Sequence, residues 1–284
     1  MKTSVIPFDV TAARRRCLGY RRRILDISQQ VGALHVAPAF SCLEMVDAIY
    51  HGLMRRRPGA PGGFADIFLM SKGHGCLAQY VILEDLGVLS RTDLDRYCTA
   101  LGRLGAHPDY GVPGIAASTG SLGHGLGIAA GMAHAGRLTR DDGVVYVVLS
   151  DGELQEGSTW EALMTAGNLR LENLVAFLDL NDLTGLDRMS EVHPAIYPVP
   201  EKVRAFGWDA VGVNGHDAAA LHGAVAARPP HPAGQAGGRP FMVVGKTVKG
   251  RGVSFMEHVP IWHYRSPNKE EYAQALRELK EISS

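Results

Sequence analysis

At 284 residues, 46% hydrophobic and 20% charged, the chain has the composition of an ordinary soluble globular protein, long enough for one large α/β domain or two small ones. A formal net charge of zero leaves no global field to gather nucleic acid or an anionic membrane surface. The four cysteines (Cys17, Cys42, Cys76, Cys98) lack the C-x-x-C spacing of a zinc or redox site. "MKTSVIPFDVTAARRR" has no apolar signal core and no run reaches membrane length, so a cytoplasmic protein is expected.

In chain order, helices are predicted over 11–30, 42–54 and 76–86, the second from Leu43, Val46, Ile49 and Tyr50 at helical spacing. The arginine runs 14–16 and 21–23 flank the first helix and read as a solvated face rather than a polyanion site. "FADIFLMSKGHG" reads as a short strand ending at a glycine-flanked His74. An Ala/Gly-rich helix follows over 121–138, then strand 144–150, helix 157–169 and strand 173–179. Strand 209–213, helix 217–227, strand 241–247 and a helix from about 269 complete the chain. The stretch 227–240, "ARPPHPAGQAGGRP", reads as a surface loop rather than a domain boundary. This alternation predicts an α/β fold: a largely parallel sheet with helices on both faces.

Two glycine- or acid-rich stretches compete for a cofactor. "GHGLGIAAG", with Gly123, Gly125 and Gly127, has the look of a dinucleotide fingerprint. It follows "DYGVPGIAASTGS", however, and no buried strand feeds it. The second stretch, "VVYVVLSDGELQEG", carries a buried-strand run into Asp151. An aspartate there is either a helix N-cap or a ligand at the carboxyl end of a parallel strand. One strand later, "FLDLND" places Asn181 beyond the end of the next strand, thirty positions after Asp151. Adjacent parallel strands would aim that carboxylate and that amide oxygen at one point. Hard oxygen ligands of this kind suit Mg²⁺ or Ca²⁺.

"SDGELQEGSTWEALMTAGNLRLENLVAFLDLND" resembles the thiamine-diphosphate motif of transketolases. "LHVAPAFSCLEMVDAIY", "FLMSKGHG", "HPDYGVPGIAASTGSLGHGLGIAAGMA", "FGWDAVGVNGHD" and "KTVKGRGVSFMEHVPIWHY" resemble further segments of that family, in the family's order, over about 30–270. The resemblance implies that residues 1–284 form a single diphosphate-binding domain. This would be the N-terminal subunit of a split transketolase, with the pyrimidine-binding and C-terminal domains on another chain. Two-carbon ketol transfer from a ketose to an aldehyde is the activity implied. Thiamine diphosphate acts as the carbanion-stabilising cofactor and Mg²⁺ anchors its diphosphate.

Position by position, the resemblance makes Asp151, Asn181 and the Leu183 carbonyl the metal ligands, and gives Gly152 an amide contact to the diphosphate. His35, His74, His107 and His263 match the four histidines around the thiazolium and the sugar, with His74, His263 and Asn181 also touching the cofactor. Imidazoles suit the proton transfers and alkoxide stabilisation of C2–C3 cleavage near neutral pH. Gly120 and Leu122 match residues on the aminopyrimidine side. Glu156 and Glu161 match acids of a hydrogen-bonded path between paired sites; a glutamate at a helix N-terminus is also favoured by the helix dipole.

The glutamate that protonates the aminopyrimidine is implied to lie on the partner. The expected assembly is therefore a dimer of this chain flanked by two partner copies, α2β2. Two departures from the family pattern are Ser150, in place of the first glycine of Gly-Asp-Gly, and "DLTGLDR" after Asn181. Alternatives are a 1-deoxyxylulose-5-phosphate synthase-like half, a 2-oxo-acid dehydrogenase E1α-like chain, and a non-catalytic relative.

Overall fold

Each apolar run that lacks helical spacing becomes a strand of one parallel sheet, in a computed structural model describing residues 8–31, 35–57, 59, 63–228 and 238–282. The strands are β1 (Ile67–Met70), β2 (Val145–Ser150), β3 (Leu174–Leu180), β4 (Asp209–Asn214) and β5 (Phe241–Lys246), in spatial order β1-β2-β3-β5-β4. All four pairings are parallel, as the alternation of helices and strands predicts. β2 is buried throughout because helices cover both faces of the sheet, which is why its sequence is an uninterrupted apolar run.

The helices are α1 (Val10–Val31), α2 (Val36–Ala48), α3 (Cys76–Asp85), α4 (Arg91–Asp95), α5 (Gly125–Thr139), α6 (Gly157–Asn168), α7 (Met189–Val192), α8 (Val199–Ala205), α9 (Ala218–Ala226) and α10 (Lys269–Glu281). Alternate strand residues feed two cores. Tyr146, Val148 and Phe177 pack with α1, α2 and α3, whereas Val147, Leu149 and Leu178 pack with α5, α6 and Trp208.

Some boundaries differ from expectation. α2 starts at Val36 instead of 42, with Pro38 in its first turn where a missing N–H costs nothing, and ends in a π-helical turn, Ile49–Leu53. α5 starts at Gly125, since 121–124 turns across α6 first. The short α4, α7 and α8 were not anticipated, being too brief to show a period. The arginine runs are only partly a solvated face. Arg16 pairs with Asp47 at 2.7 Å, Arg21 with Glu44 at 2.6 Å and Arg23 with Glu84 at 2.9 Å, all at least part-buried. Of the proposed loop 227–240, residues 229–237 lie outside the described residues, as do residues 1–7.

Candidate functional site

The register aligns the carboxyl ends of the central strands. Ser150 pairs with Asp179 and Leu180 with Lys246, so Asp151, Asn181 and the loop from Thr247 leave the sheet side by side. The Asp151 carboxylate is fully buried. It accepts N–H bonds from Gly152 at 2.9 Å and, across the strand gap, from Asp182 at 2.5 Å. It therefore caps the short 3₁₀ turn Gly152–Gln155, as the N-cap reading expects, and at the same time faces the neighbouring strand exit. Burial, reinforced by the charge of Asp179, raises its pKa to about 7. Asn181 Oδ1 accepts the Leu183 N–H at 3.1 Å, which tightens the bend that brings Leu183 back toward the site.

The donor set fits a hard divalent cation. It offers a carboxylate, an amide oxygen and a backbone carbonyl, with the carboxylate disfavoured in its charged form until a cation arrives. A Cβ on Gly152 would meet no atom within 4 Å, so the side of the residue away from its bond to Asp151 borders open space.

The loop after Asn181 does form a local structure of its own. Asp182 takes φ 65° and gathers Ser190, Tyr197 and Arg188, while Leu183 and Arg188 form an antiparallel bridge. Ser150 does not crowd the turn. Its φ is not positive, and its hydroxyl accepts the Glu153 N–H at 3.3 Å. Glu153 is itself buried under Ser71 and the Gly123 N–H.

The four histidines come together beside this metal-type pair. Ring centroids of His35 lie 5.8 Å from His74, 5.6 Å from His107 and 5.2 Å from His263, and His74 lies 5.1 Å from His263. His35 sits in the left-handed region (φ 62°) just before α2, and its Nδ1 lies 2.9 Å from the His263 carbonyl. A carbonyl only accepts, so Nδ1 of His35 carries the proton and Nε2 keeps a free lone pair. Burial lowers the pKa of His35, and burial with the Lys72 charge holds that of His74 well below its ordinary value. Burial, then the Lys249 charge, lowers His263 to about 3. Gly120 packs on His107, since a Cβ there would lie 3.4 Å from that side chain. Leu122 is half-buried on the same stretch.

Glu156 and Glu161 are exposed at the start and in the first turns of α6. Gly123 (φ 85°) passes so close to Glu156 that a Cβ would lie 2.7 Å from it. Glu161, Ser121 and His124 line a cavity of about 710 Å³ between α5 and α6.

Three further groups went unread in the sequence. Lys72 and Asp179 form a fully buried ion pair, and Asp179 also accepts from Ser41 and Thr247. Buried Lys249 donates to the carbonyls of Leu183 at 3.2 Å and Thr184 at 3.0 Å, and meets Nδ1 of His263 at 2.7 Å. In its ammonium form Lys249 can only donate to Nδ1, and His263 then carries its proton on Nε2. Burial, then the Lys72 charge, lowers the Lys249 pKa to about 7. The only sequence signal for the lysines was their place inside "SKGHG" and "KTVKGRG".

Residues 14–279 match the family described as transketolase, thiamine diphosphate binding domain. The chain is 37% identical over 262 residues to an apulose-4-phosphate transketolase subunit of Phocaeicola vulgatus, covering 92% of this chain and 91% of that one. It is 35% identical to the 6-deoxy-6-sulfo-D-fructose transketolase subunit SqwG of Clostridium sp., covering 92% and 93%. Transketolase from Leishmania mexicana superposes with a TM-score of 0.82 at 27% identity, over 97% of this chain and 42% of that one. The chain thus spans about two-fifths of the length of that solved transketolase and nearly all of the two subunits. Fold and sequence agree: the chain belongs to the transketolase family, of which it carries the thiamine diphosphate binding domain.

Proposed function

We propose that this chain is the diphosphate-binding subunit of a two-chain transketolase, moving a two-carbon ketol unit from a ketose to an aldehyde acceptor. The observation that carries this reading is the gathering of His35, His74, His107 and His263 beside the buried Asp151–Asn181 pair. Asp151, Asn181 and the Leu183 carbonyl would hold Mg²⁺ or Ca²⁺ against the diphosphate, with the Gly152 amide beside it. Bound thiamine diphosphate supplies the carbon nucleophile and the electron sink for the two-carbon unit.

The chain's own groups divide the proton work. His35, with Nδ1–H tied to the His263 carbonyl, offers Nε2 as a base toward a sugar hydroxyl. His263, with Nδ1 held by Lys249, presents Nε2–H as a donor to a developing alkoxide. His74 and His107 complete the wall around the reacting carbons. Burial disfavours the charged forms of His35, His74 and His263, which lets one imidazole accept while another donates at the same pH.

The same reading makes the described residues one domain and assigns the pyrimidine-binding and C-terminal domains to a partner chain. Support comes from the relatives named as transketolase subunits, which this chain matches nearly end to end. Glu156 and Glu161, exposed beside the α5–α6 cavity, would lie under other chains in an α2β2 assembly and link the paired sites. Gly120 and Leu122 would border the aminopyrimidine. All four cysteines are free, which suits a reducing cytoplasm. Among the described residues no helix is long and apolar enough to cross a membrane.

The test is reconstitution. With thiamine diphosphate and Mg²⁺ in excess, the chain alone should show little or no ketol transfer. Activity should appear on adding a pyrimidine-domain partner and saturate near one partner per chain. Robust transfer by the isolated chain sinks the two-chain reading, and failure of every such partner to confer transfer points to a non-catalytic relative.

A further inference from the structure

Lys249 sits where it does because the backbone on either side of it is tied down, and the ties lead away from the site. Val248 donates its N–H to Nε2 of His216, in the turn between β4 and α9, at 2.8 Å. Nε2 is therefore the unprotonated nitrogen, and the ring proton lies on Nδ1, which meets Oε2 of Glu44 on α2 at 3.0 Å. The Arg21 guanidinium on α1 grips both oxygens of that carboxylate, at 2.6 and 3.0 Å. Two further donors reach the carbonyls of Phe40 and Arg251, each at 3.0 Å. Arg251 belongs to the same loop as Lys249. One chain of buried and part-buried hydrogen bonds thus starts on α1, crosses α2 and grips the Thr247–Arg251 loop on both sides of Lys249.

We propose that His216 is a positioning residue for this site. Held in one tautomer by Glu44 and Arg21, it fixes the loop so that Lys249 meets Nδ1 of His263 and His263 presents Nε2–H to the reacting carbons. Lysine alone would place its ammonium poorly, since its four-carbon stem is flexible and its charge has no preferred direction. Here the stem springs from a backbone anchored at Val248 by His216, at Gly250 by the Ala37 carbonyl (3.1 Å) and at Arg251 by Arg21. Removing the His216 acceptor leaves the Val248 N–H without its protein partner and frees the peptide to turn. That rotation carries Lys249 with it.

The consequence for turnover rests on the two-carbon-transfer reading; the geometric relation does not. The experiment uses the full chain, ¹⁵N-labelled at histidine, with His263 and His216 resonances assigned from single-site variants. In the wild-type chain His216 should show the Nδ1–H tautomer with a hydrogen-bonded Nε2; the opposite tautomer overturns the proposal, whatever the variants do. His216→Gln puts an acceptor oxygen near the place of Nε2, whereas the shorter His216→Asn reaches Glu44 but falls short of Val248. The Asn protein, shown folded by circular dichroism, should lose the hydrogen-bonded shift of His263 Nδ1. With the partner, its kcat should fall about 10²-fold while KM for the sugar changes little. The Gln protein should retain the wild-type His263 signal and most of the turnover. An unchanged His263 signal in the Asn protein, or equal losses in Asn and Gln, overturns the proposal. Separation of Asn from Gln in the His263 spectrum, with no ketol transfer by the wild-type pair, upholds the positioning and removes only the proposed reaction.

Discussion

Two buried aspartates at neighbouring strand exits behave in opposite ways. Asp179, at the end of β3, is met by the Lys72 ammonium and by the hydroxyls of Ser41 and Thr247. Burial opposes its charge, but these partners outweigh burial and hold its pKa below the ordinary carboxylate value. Asp151, one strand over, is as deeply buried but receives backbone N–H groups from Gly152 and Asp182 instead of a cation. Among the described residues no salt bridge reaches it, and burial, then the Asp179 charge, drives its pKa up to about 7. The lesson is that a satisfied buried charge is scaffold, while a buried charge left short of a counter-ion marks where one is to be supplied.

The largest effect that tests this contrast comes from removing each aspartate. Asp151→Ala should abolish metal-dependent thiamine diphosphate binding in calorimetry while the chain melts at or above the wild-type temperature, since an uncompensated buried carboxylate is gone. Asp179→Ala strands Lys72 and should destabilise the chain by about 3–5 kcal/mol in urea unfolding. A stable Asp179→Ala protein beside an Asp151→Ala protein that still binds the cofactor would invert the comparison.

Next in size are the histidines, whose clustering separates the site from the paired scaffold. With a partner present, His107→Ala and His263→Ala should each lower kcat by roughly 10²- to 10⁴-fold while cofactor affinity changes less. Steady-state kinetics at saturating thiamine diphosphate checks this. Unchanged turnover in both variants would remove these rings from the chemistry.

How legible this contrast was in the sequence depends on what each residue needed as a signal. The parallel sheet was readable because each central strand is apolar on both faces, as with "VVYVVLS", and each is followed by helical spacing. Asp151 and Asn181 were readable because adjacent strands must bring their exits together, and the register does so. The four histidines come from far-apart segments, so their meeting followed from the family resemblance and not from any local pattern. Lys72, Asp179 and Lys249 were missed for a physical reason: a charged residue is ordinarily solvated, and nothing local shows that its partner lies 107 residues away. The ion pairs of Arg16, Arg21 and Arg23, inside runs read as a solvated face rather than a polyanion site, went unseen for the same reason.

A smaller effect concerns acid stability, where the paired group at Glu44 sharpens the contrast. Burial works against its charge, but Arg21 and His216 prevail and lower its pKa from 4.5 to about 2. A depressed carboxylate contributes stability that is complete above its unfolded value, near 4.5, and is lost as pH falls through its folded value, near 2. That loss is on the order of 3 kcal/mol. Urea midpoints measured from pH 6 down to pH 3 should fall, and the slope should flatten in Glu44→Gln, which starts less stable because Arg21 is left without its charge partner. An equal slope in that variant would assign the acid sensitivity to other carboxylates.

The smallest effect is at Ser150, the departure from the family's first glycine. Its backbone does not need a positive φ, and its hydroxyl accepts the Glu153 N–H at 3.3 Å in the turn that follows β2. Restoring glycine therefore relieves no strain. It removes that bond and adds backbone freedom to the unfolded chain, which together should cost about 1 kcal/mol. The expected result for Ser150→Gly is a melting temperature lowered by a few degrees, with thiamine diphosphate affinity within about twofold of wild type. Ser150→Ala should lose less, since it keeps the stiffer backbone and forfeits only the hydroxyl. If Ser150→Gly instead bound the cofactor tenfold more tightly, the serine Cβ would be crowding the diphosphate side of the turn. Ser150 would then belong with the unsatisfied Asp151 region, not with the scaffold beneath it.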